Sequence, residues 1–318
     1  MRTLFVMDPL ARINVSGDST YMLMRETTAR GFDAAWCTPD DLWIAGGQAH
    51  ARVQEVRTTA DAPHFHTGRV HDAPLASFDC VWMRKDPPFD MAYIFTTYLL
   101  EMVPPTTLVL NRPASIRSFN EKLFALQFPA LGPDTLVTRD PDRIVAFVEG
   151  LESGRAVLKP WDGNGGRGVL VTHAGDRNLR SMIELLTQEG RVAILAQAYV
   201  PGITEGDKRI ILVDGTPMGA MLRVPSEKDH RGNMHVGATV RATTLTDADA
   251  RICDAIGPRL REEGLVFVGI DVIGGCLTEI NVTSPTGIQE IARLGGARLE
   301  AAIVDAALAR WTARGAAR

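Results

Sequence analysis

Ten residues, Lys159-Pro160-Trp161-Asp162-Gly163-Asn164-Gly165-Gly166-Arg167-Gly168, constrain the fold of this chain more than any other stretch. Gly163, Gly165 and Gly168 satisfy GxGxxG, the spacing that carries a pyrophosphate to a helix N-terminus in dinucleotide-binding units. That reading needs a helix after the glycines. Val169-Leu170-Val171-Thr172 is instead apolar and rich in β-branched residues, and predicts a strand. No Gly-Lys-Ser/Thr follows, so a Walker loop is excluded too. A glycine-rich turn between two antiparallel strands remains. It is either a plain hairpin turn or a flap whose backbone N–H groups fold over phosphate.

The flanking sequence divides into several units, as expected for 318 residues at about 100 to 200 per domain. Strands at Thr3–Met7, Ala34–Cys37, Cys80–Met83 and Thr107–Leu110 alternate with helices near Ser19–Arg30 and Phe89–Met102, which argues for a mostly parallel sheet. His50 to Val70 is polar and less regular, a hairpin or a long loop. Proline and glycine punctuation between Pro113 and Pro133 marks a first boundary, followed by an α+β unit from Leu136 to Gln197. Asp214-Gly215 joins two strands in a hairpin, 225–237 reads as a polar loop, and a helix over Asp247–Glu263 precedes strands at Val266–Ile273 and Leu277–Val282.

Composition excludes several classes of protein. Lys plus Arg is 34 against 38 Asp plus Glu, a net charge of −4 with scattered basic residues, so no nucleic-acid footprint is visible. No apolar run approaches ~18 residues, and Asp8 cuts the N-terminal one too early for a signal-peptide core. Cys37, Cys80, Cys253 and Cys276 are widely spaced and suit reduced thiols. A cytoplasmic protein without membrane contact is expected. His64, His66 and His71 lie in a polar stretch without an acidic or cysteine partner, so a solvated loop is favoured over a metal site there.

Two constellations can carry chemistry. Lys159 ends the strand before the glycines, and Lys122 lies upstream, giving two ammonium groups able to face one polyphosphate. Gln197-Ala198-Tyr199-Val200 is a candidate adenine pocket, and Asp207-Lys208-Arg209 begins the next strand. Separately, Glu279 and Asn281 stand two apart on a strand and share a face. With Asp271 from the neighbouring strand they form an oxygen set suited to Mg²⁺, unless they are simply solvent-facing residues. A two-residue turn at Gly274-Gly275 would put Asp271 and Glu279 on opposite faces. A three-residue connection, Gly274 to Cys276, pairs Ile273 with Leu277 and Asp271 with Glu279, so a longer or bulged turn is expected.

Several strings together resemble a known family. They are Val6-Met7-Asp8-Pro9 with Ile13-Asn14, the octapeptide Met83 to Asp90 (MRKDPPFD), Asn120 to Phe124, the Lys159 to Gly166 segment, Gly206 to Arg209, Arg231-Gly232-Asn233, Phe267 to Gly269, and the decapeptide Leu277 to Thr286 (LTEINVTSPT). Nearly the whole chain is similar to bacterial glutathione synthetase, an ATP-grasp ligase. The resemblance implies an α/β and α+β multidomain chain: an ATP-grasp fold behind an N-terminal Rossmann-like parallel-sheet domain. The expected division is 1–121 for that domain, 122–197 for a lid carrying the flap, and 198–318 for a metal-bearing domain.

It further implies that ATP, γ-glutamylcysteine and glycine are substrates, with two Mg²⁺ ions (Mn²⁺ being possible) and a homotetramer. Lys122 and Lys159 would hold the α and β phosphates, beside Gly163, Gly165, Gly166, Gln197, Tyr199 and Val200. Asp207 would hold the ribose, and Asp271, Glu279 and Asn281 the metals, with Arg209, Arg223 and Arg231 catalytic. Ser226 to His230 and His235 to Ala238 depart from the family pattern, as does Ala198, where asparagine is expected. The alternatives are a ligase for another carboxylate and amine, or a non-catalytic nucleotide-binding module.

Overall fold

Strand and helix alternate at the N-terminus because fully apolar strands must be covered on both faces. A computed structural model describes residues 1–163, 165–225 and 239–316. Its first sheet contains β1 (Arg2–Val6), β2 (Asp33–Cys37), β3 (Leu42–Ala45), β4 (Gln48–Thr58), β5 (Phe65–Pro74), β6 (Cys80–Met83) and β7 (Leu108–Leu110). The strands β2, β1, β6 and β7 run parallel in that order, and β3, β4 and β5 extend them antiparallel. The β4–β5 hairpin is the polar stretch around 50–70, while the short β3 was not anticipated. Two helices, α1 (Ser19–Ala29) and α2 (Met91–Glu101), are N-capped by Asp18 and Asp90, whose carboxylates accept from Tyr21 N and Tyr93 N.

After α3 (Pro113–Ser118) and α4 (Glu121–Ala125) comes a four-stranded antiparallel sheet, ordered β10-β9-β11-β8. Its members are β8 (Thr135–Thr138), β9 (Arg155–Pro160), β10 (Leu170–His173) and β11 (Ile194–Ala198). The helices α5 (Pro141–Gly150) and α6 (Leu179–Thr187) cover it through Ile144, Val148 and Ile183.

A third sheet is antiparallel throughout, in the order β14-β13-β12-β15-β16. It comprises β12 (Asp207–Val213), β13 (Thr216–Val224), β14 (Thr239–Ala242), β15 (Phe267–Ile273) and β16 (Cys276–Asn281), accompanied by α7 (Asp247–Glu262), α8 (Ile288–Arg293) and α9 (Leu299–Ala316). First and third sheets share one core, in which Phe5 and Trp82 join Ile211, Phe267 and Ile303. Buried Asn111 stitches them together: its Nδ2 donates to Phe267 O and Val282 O, and its Oδ1 accepts from Val266 N and Phe267 N. Phe119, Phe124 and Ala125 lie in the core of the third sheet. The expected division had α4 in the central unit, yet it packs on β16. Among the described residues no helix is long and apolar enough to cross a membrane.

Candidate active site

Register alone gathers the charged residues of the third sheet. Across β12 and β15, Arg209 faces Asp271; across β12 and β13, Asp207 faces Arg223; across β15 and β16, Asp271 faces Glu279. Directly paired residues point to the same side, so all five side chains share one face. Arg209 grips Asp271 bidentately, from Nε at 2.6 Å and Nη2 at 3.0 Å. Arg223 Nη2 bridges Asp271 Oδ1 at 2.9 Å and Asp207 Oδ2 at 2.5 Å, and Asn281 Nδ2 lies 3.3 Å from Asp271 Oδ2.

The pKa directions follow from this arrangement. Burial by itself would raise the Asp271 carboxyl, but the guanidiniums of Arg209 and Arg223 outweigh it and hold the group below the usual range. Asp207 shares only Arg223, and there burial wins, pushing its carboxyl up to about 7.

The turn between β15 and β16 corrects the expected connection. Gly274 and Gly275, at φ +55° and +79°, form the two-residue turn, and Ile273 pairs with Cys276. Such a turn demands positive φ at both central positions, and two consecutive glycines supply it. The one-residue offset that brings Asp271 opposite Glu279 is a bulge at Thr278, between the Val272–Leu277 and Asp271–Glu279 pairs. Thr278 Oγ1 donates to Asp271 O at 3.0 Å. The shared face therefore forms, but by a bulged strand and not by a longer turn.

Facing this sheet across a cleft of about 260 Å³ are Lys122, Lys159 and the glycine turn. Lys159 is buried near the end of β9, and burial lowers its ammonium pKa. Lys122 sits in the first turn of α4, capped by Asn120, whose Oδ1 accepts from Lys122 N and Leu123 N while its Nδ2 donates to Trp161 O. Lys122 Nζ donates to Gly163 O and lies 3.5 Å from Glu279 Oε1. Gly163, Gly165 and Gly166 line the cleft, the latter two at φ +63° and +75°. A Cβ on Gly163 would lie 2.8 Å from Pro160 Cγ, so no larger residue fits the turn.

Gln197 also lines the cleft, its Nε2 bonded to Thr135 Oγ1 at 2.9 Å. Tyr199 and Val200 are not in its wall. The Tyr199 ring lies under the Arg155 guanidinium, 3.8 Å from the centroid, and Val200 packs toward the Gly274 turn. Arg231 and residues 226–237 of the expected loop lie outside the described residues.

Sequence reasoning missed Glu121 and Thr283, which line the cleft as well. The Glu121 carboxylate, raised in pKa by burial, accepts from Val282 N, Thr283 N and Thr283 Oγ1, tying α4 to the end of β16. Its position next to Lys122 was the available signal. Arg84 was missed too: buried, with its guanidinium 4.8 Å from the Phe267 ring centroid, it donates from Nη2 to Pro285 O.

Two buried atoms on the cleft residues have no hydrogen-bond partner among the described residues: Asp207 Oδ1 and Arg223 Nε. An acceptor and a donor left in this way suit a hydroxyl-bearing and an anionic ligand respectively. Among the described residues no three His, Cys, Asp or Glu side chains converge as a metal cage. Two carboxylates and one amide remain, an all-oxygen set that fits Mg²⁺ shared with phosphate and water.

Comparison with known proteins agrees with this geometry. Residues 1–117 match the family model described as the prokaryotic glutathione synthetase N-terminal domain, and residues 121–296 match its ATP-grasp domain. A glutathione synthetase of Thermosynechococcus vestitus is 47% identical over 307 residues, covering 93% of this chain and 96% of that one. Another, from Rhodopseudomonas palustris, is 48% identical over 300 residues, covering 94% and 95%. Among solved structures, the D-cycloserine synthetase DcsG superposes with a TM-score of 0.68 at 14% identity over 97% of this chain and 99% of its own. The macrocyclase MdnC superposes at 0.65 and 17%, over 97% and 99%. At such identities these two speak for the fold alone, an ATP-grasp ligase fold. With two paired lysines and a glycine turn facing an oxygen-rich strand pair, and with both family models matched in order along its length, the chain belongs to the prokaryotic glutathione synthetase family.

Proposed function

We propose that the cleft joins γ-glutamylcysteine to glycine at the expense of ATP, through an acyl phosphate. ATP-dependent glutathione synthesis is the activity of the family, and the observation that carries the residue assignment is the opposition of Lys122 and Lys159 to Asp271, Glu279 and Asn281 across one cleft. A carboxylate is a poor acyl donor until phosphorylated. The γ-phosphoryl group passes to the cysteinyl carboxylate and ADP leaves; the glycine amine then attacks the acyl carbon, loses its proton, and phosphate departs.

Lys122 and Lys159 hold the α and β phosphates, with the amides of Gly163, Gly165 and Gly166 above them. The free Oδ1 of Asp207 accepts from a ribose hydroxyl, and Gln197 lies toward the base. Asp271, Glu279 and Asn281 would hold Mg²⁺, which would supply the positive charge that offsets the transferring phosphoryl group. Arg223 Nε and the remaining Arg209 donors meet charge developing on the phosphoryl and tetrahedral oxygens, and Arg231 is assigned to the same task by the family resemblance. A cytoplasmic location and a homotetramer belong to the same reading.

Mixing the protein with ATP, Mg²⁺, γ-glutamylcysteine and glycine should yield ADP and tripeptide in equal amounts. Normal ATP binding without tripeptide would overturn this reading, and replacing glycine by other amines tests the alternative of a different acceptor.

A further inference from the structure

Three consecutive residues at the start of α4 reach three different parts of the cleft. Asn120 Nδ2 donates to Trp161 O beside the glycine turn, and Lys122 Nζ lies between Gly163 O and the Glu279 carboxylate. Between them, Glu121 reaches the chain just beyond the metal-bearing strand. One oxygen of its carboxylate, Oε1, accepts from Thr283 Oγ1 at 2.7 Å, from Val282 N at 3.2 Å and from Thr283 N at 3.3 Å. A carboxylate that receives three donors, two of them backbone, is held in one orientation and holds that backbone in return.

These bonds differ in kind from the other polar contact between the same two elements. The Lys122–Glu279 pair, at 3.5 Å, joins two groups that the reading above assigns to phosphate and to Mg²⁺, so ligand binding competes with it. The donors to Glu121 sit on Val282 and Thr283, directly after Asn281, and none of them is assigned to phosphate or metal. The tie through Glu121 therefore persists in the loaded site, where the spacing between the lysine and the metal-holding oxygens matters most.

The first turn of α4 needs such a tie. The helix has only five residues, too few to be rigid by itself, and its far end is anchored by Phe124 and Ala125 in the core of the third sheet. That anchor keeps α4 folded on β16 but leaves the turn bearing Lys122 to be fixed by its own contacts. Burial opposes charge on Glu121, raising its carboxyl pKa, so filling space does not by itself account for an acidic residue there.

We propose that Glu121 is a positioning residue that locks Lys122 and the strand pair bearing Asp271, Glu279 and Asn281 into one rigid unit, so that nucleotide phosphate and Mg²⁺ bind cooperatively. This deepens the reading above and rests on its assignment of Lys122 to phosphate and of the strand pair to Mg²⁺, not on the identity of the carboxylate or amine that is joined.

The test sets reach against charge. Glu121→Gln keeps the length and an acceptor oxygen and removes the charge; Glu121→Asp keeps the charge and shortens the reach by one methylene. Calorimetric titration with a non-hydrolysable ATP analogue, once with Mg²⁺ and once with EDTA, gives the factor by which Mg²⁺ tightens nucleotide binding. Glu121→Gln should keep the wild-type factor and a kcat within ~3-fold of wild type, whereas Glu121→Asp should reduce the factor at least ~5-fold and lower kcat by ~10 to 100-fold. A merely structural role would lower the Tm without moving that factor. A Glu121→Asp chain with the wild-type factor, or a Glu121→Gln chain as impaired as Glu121→Asp, overturns the proposal. Should Glu121→Asp misfold, Thr283→Val decides, because it removes the 2.7 Å donor alone: the factor should fall, and an unchanged factor overturns the proposal. The titration needs neither γ-glutamylcysteine nor glycine, so a chain that makes no tripeptide would sink the ligation reading while the coupling between Mg²⁺ and nucleotide is still measured.

Discussion

The two walls of the cleft solve opposite problems. On the third sheet the carboxylates are neutralised by fixed partners: Asp271 by two arginines and Asp207 by Arg223 within the wall, and Glu279 by Lys122 reaching across from α4. On the central sheet, Lys159 has no hydrogen-bond partner among the described residues, and the surrounding turn is built of glycines at positive φ. A lattice of buried ion pairs fixes positions, because displacing one member leaves another charge uncompensated. A glycine turn with a lone cation fixes little until an anion arrives. The first wall thus sets where the reacting groups sit, and the second adapts to what binds.

The largest expected effects separate structure from chemistry within the first wall. Asp271→Asn removes the charge shared by Arg209 and Arg223 and should cost ~3–5 kcal/mol of stability together with activity. Glu279→Gln removes one cation-holding oxygen at a half-exposed position. It should lower kcat by ~10² to 10³-fold while lowering the urea midpoint much less than Asp271→Asn does, since Lys122 keeps its bond to Gly163 O. Equal destabilisation by both variants would break the distinction between a structural and a chemical carboxylate on the same face.

Next in size is a pH effect. A carboxyl raised from 3.8 to about 7 takes up a proton on folding. The stability it contributes is therefore complete below the unfolded value and is lost as pH rises toward 7, with a slope of up to ~1.4 kcal/mol per pH unit. Asp271 has the reverse sign: its contribution is present above the ordinary carboxylate range and lost only in acid. Denaturation of wild type and Asp207→Asn between pH 4 and 7 should show the wild-type decline removed in the variant. Parallel curves would mean that Arg223 keeps Asp207 ionised throughout.

How much of this was legible in the sequence depended on whether local chemistry or long-range pairing decided it. The glycine turn between antiparallel strands, the four parallel strands of the first sheet and the Glu279-Asn281 face could be read because they follow from turn residues and a period of two. The bulge at Thr278 could not. A one-residue offset placed in the turn or in the strand gives the same pairing of Asp271 with Glu279, and the choice hinges on both Gly274 and Gly275 adopting positive φ. Glu121 was overlooked because its role comes from the end of β16 folding back onto α4, a separation of about 160 residues along the chain. Tyr199 and Val200, expected as part of an adenine-pocket segment, do not line the cleft: they follow the end of β11, and the Tyr199 ring lies under Arg155.

A smaller effect probes the second wall. Lys159→Met keeps the length and removes a desolvated charge, so the KM for ATP should rise ~10 to 100-fold, about 1.4–2.7 kcal/mol. Thermal stability should hold or improve, since burial already disfavours the ammonium. A loss of stability would place Lys159 in the fixed lattice after all.

The smallest expected effect compares the two glycine turns directly. Gly274→Ala forces an alanine to φ +55° and sets its Cβ 3.1 Å from Val200 Cγ1, while Gly202 Cα is 3.6 Å away. This turn is welded into the third sheet, so the ~1–2 kcal/mol of left-handed strain must appear as global destabilisation, a Tm lowered by several degrees with KM for ATP little changed. Gly166→Ala meets the same backbone penalty at φ +75°, but in a turn with no core beneath it. There the chain can relax into another conformation without unfolding, and the cost surfaces only when the turn must close over phosphate. Its Tm should stay at the wild-type value while KM for ATP rises several-fold. If Gly166→Ala lowered the Tm as far as Gly274→Ala, the flap would be as rigid as the hairpin, and the contrast between a positioning wall and an adapting one would fail.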